Sequence, residues 1–166
     1  MLDVLPCRCM SSSPVAAVSA PEVLCRPVAS APEITAHHRI RHEVFVLEQR
    51  LFAGSDLDGH DADPRTLHLI GLVDGVPAGT VRLWPRSERL WQGDRLAVVR
   101  QQRHVGLGGP LVRLAVSTAA ELGGHRMIAQ VQLQNVRFFK ALGWSVEGAP
   151  ADYLGVQHQQ MTIGLR

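Results

Sequence analysis

The stretch Leu96-Ala-Val-Val-Arg-Gln-Gln-Arg103-His-Val-Gly106-Leu-Gly108-Gly109-Pro110 constrains the fold more than any other segment, because it runs from an apolar strand through glycines into a helix. A strand tied to a helix by so short a turn asks for a sheet with that helix laid across one face. Glycines also let the backbone approach a phosphate closely, and the first N–H groups of the helix lack intrahelical partners and carry the positive end of its dipole. Arg103 adds a formal charge at the mouth. The segment has the shape of a pyrophosphate cradle.

Two nucleotide loops are excluded. A Walker loop needs Gly-Lys-Ser/Thr where this chain has Gly109-Pro110-Leu111, so both the lysine and the magnesium-binding hydroxyl are missing. The dinucleotide fingerprint needs a third glycine where Leu111 stands, and no acidic residue follows about 20 positions on at the end of a second clear strand.

Around the cradle the pattern alternates strands and helices. Glu22 to Val28 reads as a strand, and Ser30-Ala-Pro32-Glu33 as a capping box opening a helix over 33–48. Ala36, Ile40, Val44, Leu47 and Leu51 recur at helical spacing and define its expected buried face. Asp74-Gly75 between two apolar runs, 67–73 and 76–84, signals a tight hairpin. A strand over 89–99 precedes the cradle, and the helix 109–122 after it puts Leu111, Ala115, Ala119 and Leu122 on one side before stopping at Gly123-Gly124. A buried strand 127–131, a short helix 136–142 and a closing pair of strands, 145–148 and 156–163, complete the order. The expected fold class is α/β (α+β): a single mixed, mostly antiparallel twisted sheet flanked by helices.

Composition narrows the partners. At 166 residues the chain holds one domain, expected over 22–166, behind an extension over 1–21 rich in Ser, Ala, Pro and Val that reads as disordered. Met10 is an alternative start. A net charge of +2, with Lys140 the only lysine among 17 basic residues and no basic cluster carrying interleaved aromatics, gives no footprint for nucleic acid. No apolar run approaches the ~18 residues that span a membrane, and Met1-Leu-Asp-Val-Leu lacks the basic start of a signal peptide, so a cytoplasmic location is expected. Cys7, Cys9 and Cys25 build neither a four-ligand zinc site nor a disulfide framework. The carboxylates of Asp56-Leu-Asp58-Gly-His60-Asp61-Ala-Asp63 lack the glutamate a calcium loop needs at its twelfth position, which here is Leu67. His38 and His42 share a helical face, but His42-Glu43 is not followed by the second histidine of a zinc protease motif. No metal is assigned, and the acidic segment is expected to be a solvated or acceptor-gating loop.

Two motifs in order resemble the GNAT superfamily of acyl-CoA-dependent N-acyltransferases, over Val23 to Ile163. Leu96-Ala97-Val98, four variable residues and Arg103-His104-Val105-Gly106-Leu107-Gly108 match the family's donor motif without a gap. Asn135-Val-Arg-Phe138-Phe139-Lys-Ala-Leu142-Gly143-Trp144 is similar to its second landmark. Arg41-His-Glu-Val44-Phe45-Val46-Leu-Glu48-Gln49, followed by the acidic loop and His68, resembles one bacterial branch. That branch is related to the acyl-homoserine-lactone synthases and includes acetyltransferases associated with nitrogen starvation.

The resemblance implies an N-acetyltransferase that passes an acetyl group from acetyl-CoA to the amine of a small metabolite by direct attack in a ternary complex, working as a homodimer without nucleic acid or membrane. Leu96, Ala97 and Val98 would pair with pantetheine as an added strand, and Arg103, His104, Val105, Gly106, Leu107, Gly108 and Gly109 would hold the pyrophosphate. Asn135 and Phe139 would complete the cofactor site. Splaying of the strand around Val98 would free a backbone N–H for the thioester carbonyl. Many members carry a tyrosine, the proton donor to the departing thiolate, where this chain has Phe139. The single tyrosine, Tyr153, falls in an expected loop. Glu48 and His158 are the candidate bases for the amine proton. Two alternatives stay open: a non-catalytic acyl-CoA-binding module, and a lactone-type synthase using a longer acyl donor.

Overall fold

The computed structural model describes residues 19–166, so the expected extension, with Cys7, Cys9 and Met10, lies outside the described residues except for its last three positions. Strand β1 (Val23–Pro27) leads into helix α1 (Ala31–Arg41), where Ser30 Oγ accepts from the Glu33 N–H at 3.4 Å. Glu33 departs from a simple capping box. Its carboxylate accepts the Ala29 N–H and grips Arg26 through both oxygens.

The expected helix to residue 48 changes character at residue 42. His42–Glu48 is π-helical, and Gln49 donates its N–H to Val44 O five residues back. Each widened turn slips the phase of every later side chain. Leu47, expected inside, is therefore 63 % exposed, and Phe45 takes the buried position at 8 %.

β2 (Leu67–Val73) and β3 (Val76–Pro85) form the expected hairpin. Asp74 and Gly75 both take positive φ, 50° and 78°, as a two-residue turn matching strand twist requires. β4 (Leu90–Val98) follows, then a 3-10 turn over Arg100–Val105 that the sequence did not signal. Gly106 at φ 80° breaks that turn, and α2 (Gly108–Glu121) begins two residues later. Leu122, expected on the buried side of α2, lies beyond its end and is 55 % exposed.

β5 (Arg126–Gln132), α3 (Val136–Ala141), β6 (Ser145–Val146), β7 (Ala151–Tyr153) and β8 (Val156–Gly164) complete the chain. The eight strands form one mixed sheet in the order β1-β2-β3-β4-β5-β8-β6, with β7 also paired to β8. Only β4 and β5 run parallel; the other pairings are antiparallel.

Helices α1 and α2 cover opposite faces. On β2, His68 meets His37 and His38 of α1, whereas a Cβ on Gly71 would lie 2.8 Å from Leu107. Residues three apart on a strand point to opposite faces. The larger core lies under α2 and joins Leu69, Leu83, Trp91, Leu111, Ala115, Met127 and Met161. The smaller one, Ile40, Val44, Phe45 and Ala97, fixes α1 and the π-helical segment to β4.

The parallel pair separates early. β4 and β5 are in register only from Leu90 and Arg126 to Gly93 and Ala129, so the splay opens five residues before Val98, where it was expected. A bulge explains the position. Arg95 takes φ 53°, and the β3 register shifts between Thr80 and Arg82 opposite it, which turns β4 away from its neighbour.

Candidate active site

The splay opens into a cavity of about 550 Å³, within the range of small-molecule sites. Leu96 lines it from β4, and Met127, Ala129, Val131 and Gln132 line it from β5. Val112 and Ala115 of α2 form an apolar floor with Phe139 and Trp144, whose rings meet edge to face at 5.4 Å. Polar groups converge from the other side: Gln49, Asp152, Tyr153 and His158.

Of the residues expected to form the site, the cavity wall brings together Leu96, Asn135, Phe139 and His158. Ala97 and Val98 continue the same strand but pack their side chains into the two cores. The glycine turn follows directly. No side chain caps α2, so the first-turn N–H groups of Gly108 and Gly109 have no intrahelical acceptor, and Pro110 offers none. Their partial positive charge lies at the start of α2.

Leu107, expected among the cofactor residues, contributes no side chain to a ligand. It is fully buried, seated over Gly71 and Gly79, where a Cβ on either would come within 2.8 Å of it. Leu107 pins the turn to the sheet. Nor is the Arg103 charge free. Its guanidinium donates to both Glu48 oxygens at 2.6 and 2.7 Å, and its Nε donates to Val98 O at 3.1 Å. His104 and Val105 belong to the 3-10 turn beside it.

This pairing separates the two candidate bases. The Arg103 hydrogen bonds hold the Glu48 carboxyl below its ordinary pKa, and Glu48 is not among the residues lining the cavity. Its neighbour Gln49 is, and it accepts a 2.9 Å hydrogen bond from Gln132 across the cavity mouth. His158 is 6 % exposed, on β8. Its Nδ1 lies 2.8 Å from Val156 O. A carbonyl oxygen only accepts, so Nδ1 donates to it, and in the neutral tautomer the lone pair is on Nε2.

Tyr153 lies on β7, not in a loop, with its ring edge-on to His158 at 5.5 Å. It supplies the single hydroxyl among the lining residues. The signal that would have found it, a three-residue strand over Ala151–Tyr153, is too short for periodicity to register.

The carboxylates of the acidic segment are held in ion pairs. Asp56 is 2 % exposed and accepts from Arg41 Nε at 2.7 Å and Arg95 Nε at 3.0 Å. Asp58 and Asp94 bracket the buried Arg82, which Asp61 also reaches at 2.9 Å. Three guanidinium groups, Arg41, Arg82 and Arg95, thus face four carboxylates, Asp56, Asp58, Asp61 and Asp94. Burial opposes the Arg82 charge, yet the Asp94 and Asp58 hydrogen bonds raise its pKa above the ordinary value. The Arg95 guanidinium also stacks on Phe52 at 4.8 Å. Of the carboxylates lining the cavity, only Asp152 has no ion-pair partner among the described residues.

No helix among the described residues is long and apolar enough to cross a membrane. Residues 33–144 match the Acetyltransferase (GNAT) family. An uncharacterized N-acetyltransferase of Bacillus subtilis (strain 168), YjcF, is 29 % identical over 124 residues, covering 74 % of this chain and 86 % of that protein. Among solved structures, a putative N-acetyltransferase from Lactobacillus plantarum shares the fold with a TM-score of 0.76 at 23 % identity, covering 89 % of this chain and all of that one. The CoA-dependent acyl-homoserine lactone synthase BjaI, solved with SAM and isopentyl-CoA, aligns with a TM-score of 0.70 at 22 % identity, over 82 % of this chain and 78 % of its own. With its donor motif, splayed sheet and a family match over more than half its length, the chain belongs to the GNAT family of acetyltransferases.

Proposed function

We propose that the protein transfers the acetyl group of acetyl-CoA to the amine of a small cationic metabolite by direct attack in a ternary complex. The observation that carries the reading is the cavity at the β4–β5 splay, with the uncapped start of α2 beyond one end and His158 in its wall. Pantetheine pairs with the unpartnered edge of β4 along Leu96, Ala97 and Val98. The pyrophosphate rests on backbone N–H groups of the glycine turn. Asn135 and Phe139 close the thioester end.

His158 Nε2 takes the proton as the amine nitrogen forms its bond to the thioester carbon. The carbonyl oxygen becomes an oxyanion that a freed β4 N–H stabilises; one such donor is worth about 3 kcal/mol. Collapse breaks the carbon–sulfur bond, and the thiolate takes its proton from the Tyr153 hydroxyl, which replaces the donor that Phe139 cannot be. Asp152 supplies the charge that draws a cationic acceptor, the role the Asp56–Asp63 loop cannot fill with its carboxylates already paired. The same reading includes a homodimer.

One observation favours a second reading, a longer acyl donor. The floor of the cavity is apolar, formed by Val112, Ala115, Met127 and the Trp144 ring. A panel of amines assayed for thiol release with acetyl-CoA, then with longer acyl-CoAs, decides. Fastest turnover with acetyl-CoA supports the first reading, and a kcat/KM that climbs with chain length supports the second. Saturable CoA binding with no turnover on any amine overturns both and leaves a binding module.

A further inference from the structure

His37, His38 and His68 meet where α1 crosses β2, away from the cavity wall. Each offers a ring nitrogen, and the three nitrogens lie within 4.8 Å of one another. His37 Nδ1, His38 Nε2 and His68 Nδ1 are all buried and without a hydrogen-bond partner. Each unmade hydrogen bond of this kind costs ~1–3 kcal/mol, so three converging at one point call for a shared occupant. A sequence reading confined to one helix pairs His38 with His42; the third nitrogen comes from a strand 30 residues further on.

We propose that His37, His38 and His68 form a binding site for a divalent transition-metal ion, with zinc the best match. Three neutral imidazoles suit zinc, which takes nitrogen ligands at ~2.0–2.1 Å in a tetrahedron. Such bonds place ligand nitrogens roughly 3.4 Å apart, a contraction that small ring rotations supply. The orientation of His37 is already set. Its Nε2 lies 3.4 Å from Val81 O, to which it donates, so Nδ1 is the nitrogen with a lone pair to give.

The surroundings agree. Burial first, then His68 and Arg41, push the His37 pKa down to about 3, and burial lowers those of His38 and His68 as well. All three rings are therefore neutral near pH 7. Arg41 opposes a cation here, but its charge is matched by Asp56 and Asp61, which hold it at 2.7 Å and 2.5 Å. Asp61 Oδ1, 3.9 Å from His38 Nε2, is engaged by Arg41, so the fourth position belongs to solvent. The His38 side chain beside it is 30 % exposed. The ion ties α1, and through it the π-helical wall of the cavity, to the central sheet.

The test uses the full chain, stripped with EDTA and titrated with zinc chloride by calorimetry against a competing chelator. One zinc per chain is expected, with a rise in melting temperature. His38→Gln and His68→Gln should each weaken binding by more than about 100-fold, beyond the 10- to 100-fold that losing an orienting group alone costs. Cobalt(II) bound to the unsubstituted protein reads the donor set without any mutation, and its spectrum should show nitrogen and oxygen ligands only. Absence of stoichiometric zinc binding overturns the proposal. So does affinity unchanged in both variants, or a thiolate-to-cobalt band, which would assign the metal to cysteine.

Discussion

The two sides of the cavity are built by different means. The side proposed for the donor is backbone: an unpaired strand edge, a glycine turn and the bare start of α2, each made by residues adjacent in sequence. The side proposed for the acceptor is side chains brought from afar: Asp58, Asp94 and Arg95 line it and are held by Arg82 and Asp56 behind them. Arg41 and Asp56 are 15 residues apart, Arg82 and Asp58 24, and Arg95 and Asp56 39. A backbone surface binds what every CoA thioester shares, whereas a side-chain surface can change acceptor without disturbing the donor. Substitutions on the two sides should therefore move different quantities.

The largest effect is expected at His158. His158→Ala should lower kcat by about 10²–10⁴ while the KM for acetyl-CoA stays within about twofold, because base catalysis is lost and the donor surface is intact. Steady-state thiol release measures both, and a KM that rises with an unchanged kcat would move His158 to the donor side. Arg82→Met should cost about 3–5 kcal/mol of stability, since Asp58, Asp61 and Asp94 are left without their shared partner. Denaturant unfolding monitored by circular dichroism gives the number.

A smaller effect concerns acid. Burial raises the Asp58 pKa, but the Arg82 hydrogen bond and charge outweigh it and leave the folded value below the ordinary 3.8. The stability that Asp58 contributes is thus present above about pH 4 and is lost as pH falls through the folded value. Asp58→Asn should be less stable than the parent at pH 7, with the gap closing below pH 4 in thermal melts. The smallest change is expected from Glu48→Gln. The Glu48–Arg103 pair is partly exposed, and such pairs are worth about 0–1 kcal/mol. Its turnover should hold within about twofold and its KM for acetyl-CoA within about fivefold. Turnover slower by two orders of magnitude or more, the loss expected of a missing base, would return that role to Glu48 and erase the contrast between the two sides.

The same contrast explains what could be read in the sequence. Asp74-Gly75, the Leu96–Val98 strand, Gly106 and the core face of α2 at Leu111, Ala115 and Ala119 are local signals, and each stands where the sequence places it. The acceptor side was not legible. Four aspartates in eight residues look like solvated charge until Arg41, Arg82 and Arg95 arrive from three other elements. Leu47 points outward because a change in helix type at His42 shifts the phase, and no residue in the stretch announces that change. Tyr153 became visible only through its pairing with β8.

Leu107 makes the donor surface a matched set. Its side chain fills the room left by Gly71 and Gly79, two residues on neighbouring strands that sit opposite each other in register. The depth of that seat sets how far the glycine turn stands above the sheet, and hence, in the proposed complex, the distance between the phosphate end and the thioester end of the donor. A methyl added at 71 must be answered by room made at 107, whereas one added at 79 also meets Leu111 at 2.8 Å and the Ala97 carbonyl at 3.2 Å, so the seat is held from both sides.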